Sequence, residues 1–398
     1  MKVLMFGWEF PPLSSGGLGT ACYGLTKALS KKGVDITFVL PYSAEGDEAE
    51  FVKLIPANRV KIRKISSVLR PYMTTEEYSR TLVKKPGRTA KIYGESLFDE
   101  VYRYTLAAEK IAEEENFDVI HCHDWMTFGA GIKAKQKKNK PLVLHVHATE
   151  HDRTGGNGVN QYVYDLERHG LHSCDRIIAV SNFTKNKIME HYGVPGDKIE
   201  VVHNAVDFSE SSFYEDFPLK KSEKVVLFLG RITLQKGPDY FVHAAKKVLE
   251  QEKNVKFVIA GSGDMESHII EKAAELGISR NVLFSGFLNP HDVERAFKMS
   301  DIYVMPSVSE PFGLTALEAM KNKAPIIISK QSGVSEVVNH CLKVDFWDVN
   351  ELSSKIISVL RYPNLKDSMS ENAYNEVQKF SWDQPAQKCI EVYNKVMG

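Results

Sequence analysis

Two glutamates, eight positions apart, bracket the stretch of this chain best suited to bind a ligand. Glu310-Pro-Phe-Gly-Leu-Thr-Ala-Leu-Glu318 follows residues 301–305, an apolar run with the composition of a buried strand. A carboxylate such as that of Glu318 can accept hydrogen bonds from two vicinal hydroxyls, as in a ribose. Glycine lets a backbone approach a ligand closely, so an anion site is expected at the helix start. Its N–H donors would be those of Phe312, Gly313, Leu314 and Thr315.

A pair of cations lies on a loop earlier in the second half of the chain. Gly230-Arg-Ile-Thr-Leu-Gln-Lys-Gly237 follows a strand pattern and precedes a helix that would begin at Pro238. Arg231 offers a planar guanidinium and Lys236 a point charge, which together suit a diphosphate with about two negative charges. The chain has no Asp-x-Asp triplet, a common motif for binding a divalent cation on a diphosphate. We therefore expect the two cations to neutralise a diphosphate without a metal.

The first half contains a glycine-rich loop, residues 11–20, between a strand pattern and a helix pattern. The N–H groups of Gly16 and Gly17 can approach phosphate or sugar oxygens there. No Gly-Lys-Ser/Thr follows, so the loop is not a Walker A loop, and Cys22 stands where Gly-x-Gly-x-x-Gly needs its last glycine. Gly16 and Gly17 are therefore candidates for binding a phosphate or sugar, although the loop has no diagnostic nucleotide-binding motif.

Two H-x-H elements end predicted strands of the first half, in His121-Cys-His-Asp-Trp125 and His145-Val-His147. Such a set could ligate zinc, but its spacing lacks any usual zinc signature. We therefore expect no metal site. A buried structural histidine is one interpretation of His147, and His121 and His145 are expected to support structure.

Short strand patterns alternate with helix patterns along almost all of the 398 residues, which predicts two α/β domains with parallel sheets. Residues 41–70, with an acidic patch and Pro56, are interpreted as surface excursions. Two doubly wound domains that face each other would place their ligand sites in one cleft. The domains are expected at residues 1–206 and 224–375, with a linker at 207–223 and a C-terminal segment, 376–398, whose helix packs back on the first domain. Strands are predicted at residues 2–7, 35–40, 119–122, 142–147, 176–181, 200–204, 224–230, 256–260, 282–285, 301–305 and 325–329, and helices at 20–32, 97–115, 182–191 and 382–397.

Composition excludes several classes of partner. Lys and Arg total 51 and Asp and Glu total 51, so no nucleic-acid or membrane-surface partner is indicated. The five cysteines are scattered without a C-x-x-C pair, which is typical of a reduced cytosolic protein. No apolar run is long enough for a signal peptide or a membrane span. We expect a cytoplasmic protein.

These motifs together resemble retaining glycosyltransferase family 4, which includes glycogen and starch synthases. Glu310 and Glu318 match its E-x7-E signature, and residues 230–237 match its G-R-x-x-x-x-K-G pattern. His121-Cys-His-Asp-Trp125 resembles the H-x-H-D-W of those synthases. His147 aligns with the family's active-site histidine. Asn204 matches its asparagine near the donor sugar, although asparagine also forms turns at strand ends.

The glycine-rich loop also resembles the K-x-G-G-L-A-D loop of glycogen and starch synthases, with two departures. Ser14 stands in place of the lysine and Thr20 in place of the aspartate. Glu9 matches an acidic position of the same loop. The donor and acceptor contacts of that loop therefore do not transfer directly to this chain.

The resemblance implies the GT-B fold, with two Rossmann-like domains around a central cleft. It implies transfer of a hexose, glucose by preference, from UDP-glucose or ADP-glucose to an α-1,4-glucan such as glycogen, with retention and without metal or other cofactor. Arg231 and Lys236 would bind the diphosphate, and Glu318 would bind the ribose. The sugar would be positioned by His147, Asn204 and Glu310.

Other functions remain open at this point. A family 4 transferase could act instead on a lipid-linked or cell-surface saccharide, and a GT-B fold could carry a nucleotide-sugar epimerase. A catalytically silent sugar-nucleotide-binding protein is the alternative outside enzymes. The intact set of Glu310, Arg231 and Lys236 argues against a silent protein, which has no need of a charge clamp.

Overall fold

The computed structural model describes residues 1–11, 16–42, 60–66, 97–208 and 223–398, which form two compact units. The first unit comprises Met1–Thr149, Asn160–Asn204 and Trp382–Gly398, and the second comprises Glu150–Val159 and Ala205–Ser381. Among the described residues, no helix combines the length and the apolar character needed to cross a bilayer.

Each unit is built on one parallel sheet. The strands of the first unit are β1 Lys2–Phe6, β2 Asp35–Tyr42, β3 Val60–Ser66, β4 Val119–His123, β5 Leu142–Val146, β6 Arg176–Ala179 and β7 Ile199–Val201. Those of the second are β8 Lys224–Leu229, β9 Val255–Ala260, β10 Val282–Gly286, β11 Ile302–Met305, β12 Ile326–Ser329 and β13 Leu342–Val344.

Both sheets are doubly wound. The first has the order β3-β2-β1-β4-β5-β6-β7 and the second the order β10-β9-β8-β11-β12-β13. The winding reverses between β1 and β4 in one sheet and between β8 and β11 in the other, and ligands of such sheets bind beyond the strand ends at this reversal. Every residue of β4 and β5 is buried, as expected for parallel strands that are covered on both faces.

Helices connect these strands. They are α1 Gly17–Lys31, α2 Leu97–Glu114, α3 Trp125–Lys138, α4 Glu150–Arg153, α5 Gln161–Ser173, α6 Asn182–Tyr192, α7 Pro238–Gln251, α8 Glu266–Glu275, α9 Pro290–Met299, α10 Leu314–Lys321, α11 Val349–Arg361, α12 Pro363–Val377 and α13 Asp383–Met397. The sequence did not predict α5, in which only Val163, Glu167, Gly170 and Leu171 are buried.

The C-terminal helix α13 packs on the first unit, as predicted. It contacts α1 and β6. The indole of Trp382 covers Gly24 so closely that a Cβ atom there would lie 2.3 Å from the ring. The hydroxyl of Tyr393 lies 2.5 Å from Nδ1 of His121 on β4. Helix α13 is therefore part of the first unit's core.

The unit boundaries differ from the predicted ones, and the first unit ends at Asn204 rather than at residue 206 before α13 rejoins it. The predicted first domain, residues 1–206, included Glu150–Val159, which belongs to the second unit because its side chains pack and hydrogen-bond there. The C-terminal segment, predicted at 376–398, joins the first unit only from Trp382, since α12 continues in the second unit to Val377. Residues 209–222 of the predicted linker lie outside the described residues.

Residues 41–70 are not only surface excursions, as had been expected. Strand β2 continues to Tyr42, and β3 pairs with it in parallel. Residues 43–59 and 67–70 of this stretch lie outside the described part of the chain. The strand was missed because Val60–Ser66 carries three cations, which weaken an apolar pattern.

Candidate active site

The loop after β8 is held against the loop after β11 by a glycine. Gly237 has φ 67° and precedes α7, whose first residue is Pro238, as the sequence predicts. A Cβ atom on Gly237 would lie 2.2 Å from the carbonyl oxygen of Pro306, so no other residue fits without a shift of the backbone. The contact brings residues 230–237 next to the loop that contains Glu310.

Lys236 and Glu310 meet at the junction of these two loops. Nζ of Lys236 lies 2.5 Å from Oε2 of Glu310, and the hydroxyl of Ser307 donates to the same oxygen at 3.1 Å. The side chains are 21% and 8% exposed, so water screens this ion pair only weakly. The structure thus brings together the residue predicted to bind the diphosphate and the one predicted to position the sugar.

Hydrogen bonds of the main chain fix the position of Glu310. Its N–H donates to the carbonyl of Gln331 at 3.0 Å, and its carbonyl accepts from Gly333 at 2.9 Å. Ser307, which supports the carboxylate, is fully buried. It was missed in the sequence because a serine three positions before a glutamate has no distinctive pattern.

Arg231 is joined to the same loop through Gln235. Nη2 of Arg231 donates to Oε1 of Gln235 at 2.9 Å, and the carbonyl of Gln235 accepts from the N–H of Val308 at 2.9 Å. Gln235 is buried and connects the guanidinium to the β11 loop. Its position one residue before Lys236 was the only available signal for this role.

The start of α10 has the backbone that the sequence predicts for an anion site. Gly313 has φ 107°, and α10 begins at Leu314 with no side-chain cap from the described residues. The first N–H groups of a helix have no partner within it, so they can bind an anion. A Cβ atom at Gly313 would lie 3.2 Å from Cγ of Glu310, which places this helix start beside the Lys236–Glu310 pair.

Phe312 and Thr315 are held by protein contacts on either side of this helix start. The carbonyl of Phe312 accepts from Val334 at 2.7 Å, and its ring is buried. The hydroxyl of Tyr303 lies 2.8 Å from Oγ1 of Thr315. Burial raises the pKa of Tyr303, so its hydroxyl stays protonated and can donate. The side chain of Thr315 therefore has a hydrogen-bond partner within the protein. Its backbone N–H remains the group predicted to bind an anionic ligand.

Glu318 lies within α10, just over one turn after Leu314. Its side chain is half-buried. Burial raises the pKa of its carboxyl group, and the positive charge of Lys321 opposes that shift. A carboxylate withdrawn from water gains more from hydrogen bonds to ligand hydroxyls than one in bulk solvent. Its predicted contact with a ribose remains a prediction.

Asp152 is a buried residue of this region that the sequence did not single out. Its carboxylate accepts a 2.6 Å hydrogen bond from the hydroxyl of Ser309, the residue before Glu310. A Cβ atom at Gly155 would meet the side chain of Val308 at 3.4 Å. The short segment that contains α4 therefore supports the loop of Glu310 from one side.

His147 lies just after β5 in the first unit. Its N–H donates to Oδ1 of Asp124 at 2.7 Å, and its Nε2 lies 3.0 Å from Nδ1 of His123. Loss of water contact lowers the pKa of His147 to about 3, so the imidazole is neutral. A neutral imidazole can donate or accept a hydrogen bond to a sugar hydroxyl.

The glycine-rich loop of the first unit leads into α1. Gly16 precedes the first helical residue, Gly17, and has no side chain with which to cap the helix. The buried carboxylate of Glu9 accepts from the N–H of Gly19 at 3.2 Å, where a negative charge is favoured by the helix dipole. Residues 12–15, which include Ser14, lie outside the described residues. Asn204, which follows β7, is buried.

The two doubly wound parallel sheets define an α/β protein. In the second unit, a helix start without a side-chain cap lies beside an ion pair, and such a site is suited to an anionic ligand. The family model described as Glycosyltransferase Family 4 matches residues 15–210, and that described as Glycosyl transferases group 1 matches residues 211–376. The chain is 30% identical, over its whole length, to an uncharacterized glycosyltransferase of Methanocaldococcus jannaschii, of which it covers 99%. It belongs to this family of glycosyltransferases.

The names of other relatives refer to different substrates. The chain is 26% identical to a glycogen synthase of Mycobacterium tuberculosis strain H37Rv, over 99% of the chain and 94% of that protein. It is also 26% identical to a D-inositol 3-phosphate glycosyltransferase of Segniliparus rotundus, over 78% of the chain and 70% of that protein. Glycosyltransferase activity is therefore common to these relatives, whereas the acceptor is not.

Solved structures show the same fold. A sucrose-phosphate synthase from Thermosynechococcus elongatus matches 99% of this chain and 98% of its own, with a TM-score of 0.78 and 18% identity. Anabaena HepE in complex with UDP and glucose matches 99% of this chain and all of its own, with a TM-score of 0.73 and 17% identity. The GT-B fold expected from the sequence motifs is confirmed.

Proposed function

We propose that this glycosyltransferase moves glucose from UDP-glucose or ADP-glucose to an α-1,4-glucan such as glycogen, with retention and without a metal. The observation that carries this proposal is the Lys236–Glu310 ion pair beside the start of α10. A cation and an uncapped helix start can stabilise a leaving diphosphate, while the adjacent carboxylate can accept hydrogen bonds from a sugar. The likeness to a glycogen synthase over nearly the whole chain supports the glucan acceptor.

Catalysis in this proposal is mainly electrostatic. As the bond between C1 of the sugar and the diphosphate oxygen breaks, negative charge develops on the diphosphate. Arg231, Lys236 and the N–H groups at the start of α10 stabilise that charge. The acceptor oxygen bonds to C1 on the face that the diphosphate leaves, and its proton passes to a donor phosphate oxygen. Retention follows from this front-face route.

The remaining assignments rest on the family resemblance. Glu310, His147 and Asn204 position the sugar, and Glu318 binds the ribose. Gly16 and Gly17 contact the donor through their backbone N–H groups. No cofactor is needed in this scheme, because the energy for transfer is stored in the donor's bond to its diphosphate.

A second acceptor class is favoured by one observation. The D-inositol 3-phosphate glycosyltransferase of Segniliparus rotundus is as similar in sequence to this chain as the glycogen synthase is, although over a shorter part of it. A small phosphorylated or lipid-linked acceptor is therefore the alternative to a glucan, with the same donor site.

A donor and acceptor panel tests the proposal. UDP-glucose, ADP-glucose and UDP-N-acetylglucosamine are each incubated with glycogen, maltooligosaccharides or D-inositol 3-phosphate, and nucleotide release and product linkage are measured. We expect release of UDP or ADP only with a glucan present, and a new α-1,4 linkage. Transfer to inositol phosphate alone would select the second acceptor class. Isomerisation of the nucleotide sugar without release of nucleotide would indicate an epimerase. Binding of the nucleotide sugar without any turnover would indicate a catalytically silent protein.

A further inference from the structure

Four imidazoles form a compact array on one face of the first unit's sheet. His121 and His123 lie two residues apart on β4, and His145 and His147 have the same spacing at the end of β5, so each pair points to one face. The strands are neighbours, and His123 is paired with His145 in register. The ring centroids of His121 and His123 are 4.4 Å apart, and those of His145 and His147 are 4.3 Å apart.

Two ring nitrogens of this array are buried without a partner. His121, His123 and His145 are at most 2% exposed. Within the described part of the chain, neither Nε2 of His123 nor Nε2 of His145 has a hydrogen-bond partner. Buried polar atoms in native proteins nearly always have a partner, so such orphans call for a bound water, an ion or another explanation.

We propose that His121, His123 and His145 bind a transition-metal ion of the class that prefers imidazole ligands, such as Zn²⁺. One nitrogen from each ring lies within 4.8 Å of those from the other two. Tetrahedral zinc with bonds of about 2.0–2.1 Å requires ligand nitrogens roughly 3.3 Å apart. Nε2 of His121 and Nδ1 of His145 are 3.3 Å apart in a ring-to-ring hydrogen bond, which an ion bound between the rings would replace.

Tyr393 completes the surroundings of this site. Its hydroxyl lies 2.5 Å from Nδ1 of His121, which leaves Nε2 of that ring to bind the ion. Metal-binding histidines commonly hold their second nitrogen in such a hydrogen bond, which orients the ring. Because Tyr393 lies on α13, the ion would join β4, β5 and the C-terminal helix. Its role would be structural and separate from the donor chemistry of the second unit.

A neighbouring group of potential ligands differs in one important respect. Cys22, His123 and His147 also have ligand atoms within 4.8 Å of one another. The rings of that group carry only one of the two unpartnered nitrogens, whereas the rings of His121, His123 and His145 carry both. The three-imidazole set is therefore the better match, and Cys22 provides a variant that separates the two.

Metal analysis of the full chain, purified without a histidine tag, tests this site. The protein is stripped with dipicolinate, reloaded with Zn²⁺ or Co²⁺, desalted and analysed by mass spectrometry for metal per chain. We expect about one ion per wild-type chain, and its loss in His123→Gln and His145→Gln. His172→Gln is the matched control, because its imidazole binds the carbonyl of Tyr192 outside the array, and it should retain the ion.

Thermal unfolding of the wild type keeps the test independent of variant folding. Reloading the stripped wild type should raise its Tm by a few degrees, because a ligand that binds only the folded state stabilises it. Cys22→Ser should keep both the ion and the shift. Failure of the wild type to retain Zn²⁺ or Co²⁺ would overturn the proposal and leave a buried water as the partner of the orphaned nitrogens. Metal content equal to that of the wild type in His123→Gln and His145→Gln, or loss of the ion in Cys22→Ser, would overturn it as well.

Discussion

Nζ of Lys236 lies 2.5 Å from Oε2 of Glu310, although the two residues are 74 positions apart in the chain. The ammonium is therefore positioned by a carboxylate that lies beside the start of α10. A bound diphosphate would share or compete for this ammonium, so the proposed leaving-group and sugar contacts are coupled. Substitution of either residue of the pair should therefore affect the contacts of the other.

Replacement of either cation should slow turnover. Lys236→Ala and Arg231→Ala are each expected to lower kcat by roughly 10²–10³, as for loss of one group that stabilises charge in a transition state. Lys330→Ala is the control, because that ammonium pairs with Asp345 and its side chain is 49% exposed. Steady-state kinetics on folded protein measures the effect. Unchanged kcat in both variants would remove these cations from the mechanism.

The two glutamates should differ in the kinetic constant that they affect. Glu310→Gln should chiefly lower kcat, because Glu310 is proposed to act at the transferred sugar. Glu318→Ala should chiefly raise the donor KM, because a ribose is bound equally in ground and transition states. Loss of a charge-assisted hydrogen bond predicts an effect of about ten- to a hundredfold in either case. Normal kcat in Glu310→Gln with abolished kcat in Glu318→Ala would show that the roles are reversed.

Gly237 should tolerate substitution much less well than a glycine of similar φ. Gly237 and Gly277 have φ of 67° and 69°, so alanine costs backbone strain at both, but only the Cβ atom at Gly237 would meet a carbonyl oxygen, at 2.2 Å. Gly237→Ala should therefore lower kcat at least about tenfold, since misplacement of a reacting group by an ångström can cost more than that. Gly277→Ala should lower only the Tm. Equal activity in the two variants would contradict the contact with Pro306.

The stability of the chain should depend on pH through Glu318. Burial raises the pKa of this carboxyl above its ordinary value of 4.5. The stability that the protonated form contributes is therefore complete below 4.5 and is lost as pH rises through the raised pKa. Glu318→Gln cannot ionise, so its Tm relative to wild type should be higher at about pH 7 than at about pH 4. A difference that is constant, or larger at the acidic pH, would contradict this prediction.

Transfer should not require a divalent cation at the donor. Lys236 and Arg231 are proposed to supply the positive charge that an Asp-x-Asp metal site supplies elsewhere, so the rate should survive excess EDTA. The rate is measured within minutes of chelation, with circular dichroism as the control for folding. Loss of activity in folded protein that Mg²⁺ or Mn²⁺ restores would show that the donor site uses a metal, since these ions prefer oxygen ligands such as phosphates.

Local sequence was sufficient to predict the secondary-structure elements of the proposed donor site. A strand, a turn glycine and a helix start are encoded within about ten residues, which is why β8 with Gly237 and α7, and β11 with Gly313 and α10, could be predicted. The packing of α13 was predicted for a different reason. The sequence pattern of the second half of the chain contains no further strand that this apolar helix could cover.

Tertiary structure alone decided which of these parts meet. Lys236 reaches Glu310 because β8 and β11 are neighbours in the sheet, and Asp152 reaches Ser309 across 157 positions of chain, neither of which has a local signal. The same holds in the first unit. The H-x-H spacing placed two imidazoles on one face of each strand, but only the pairing of β4 with β5 assembled the four-imidazole array. Spacing determines the direction of a side chain, whereas strand order and burial determine its partner.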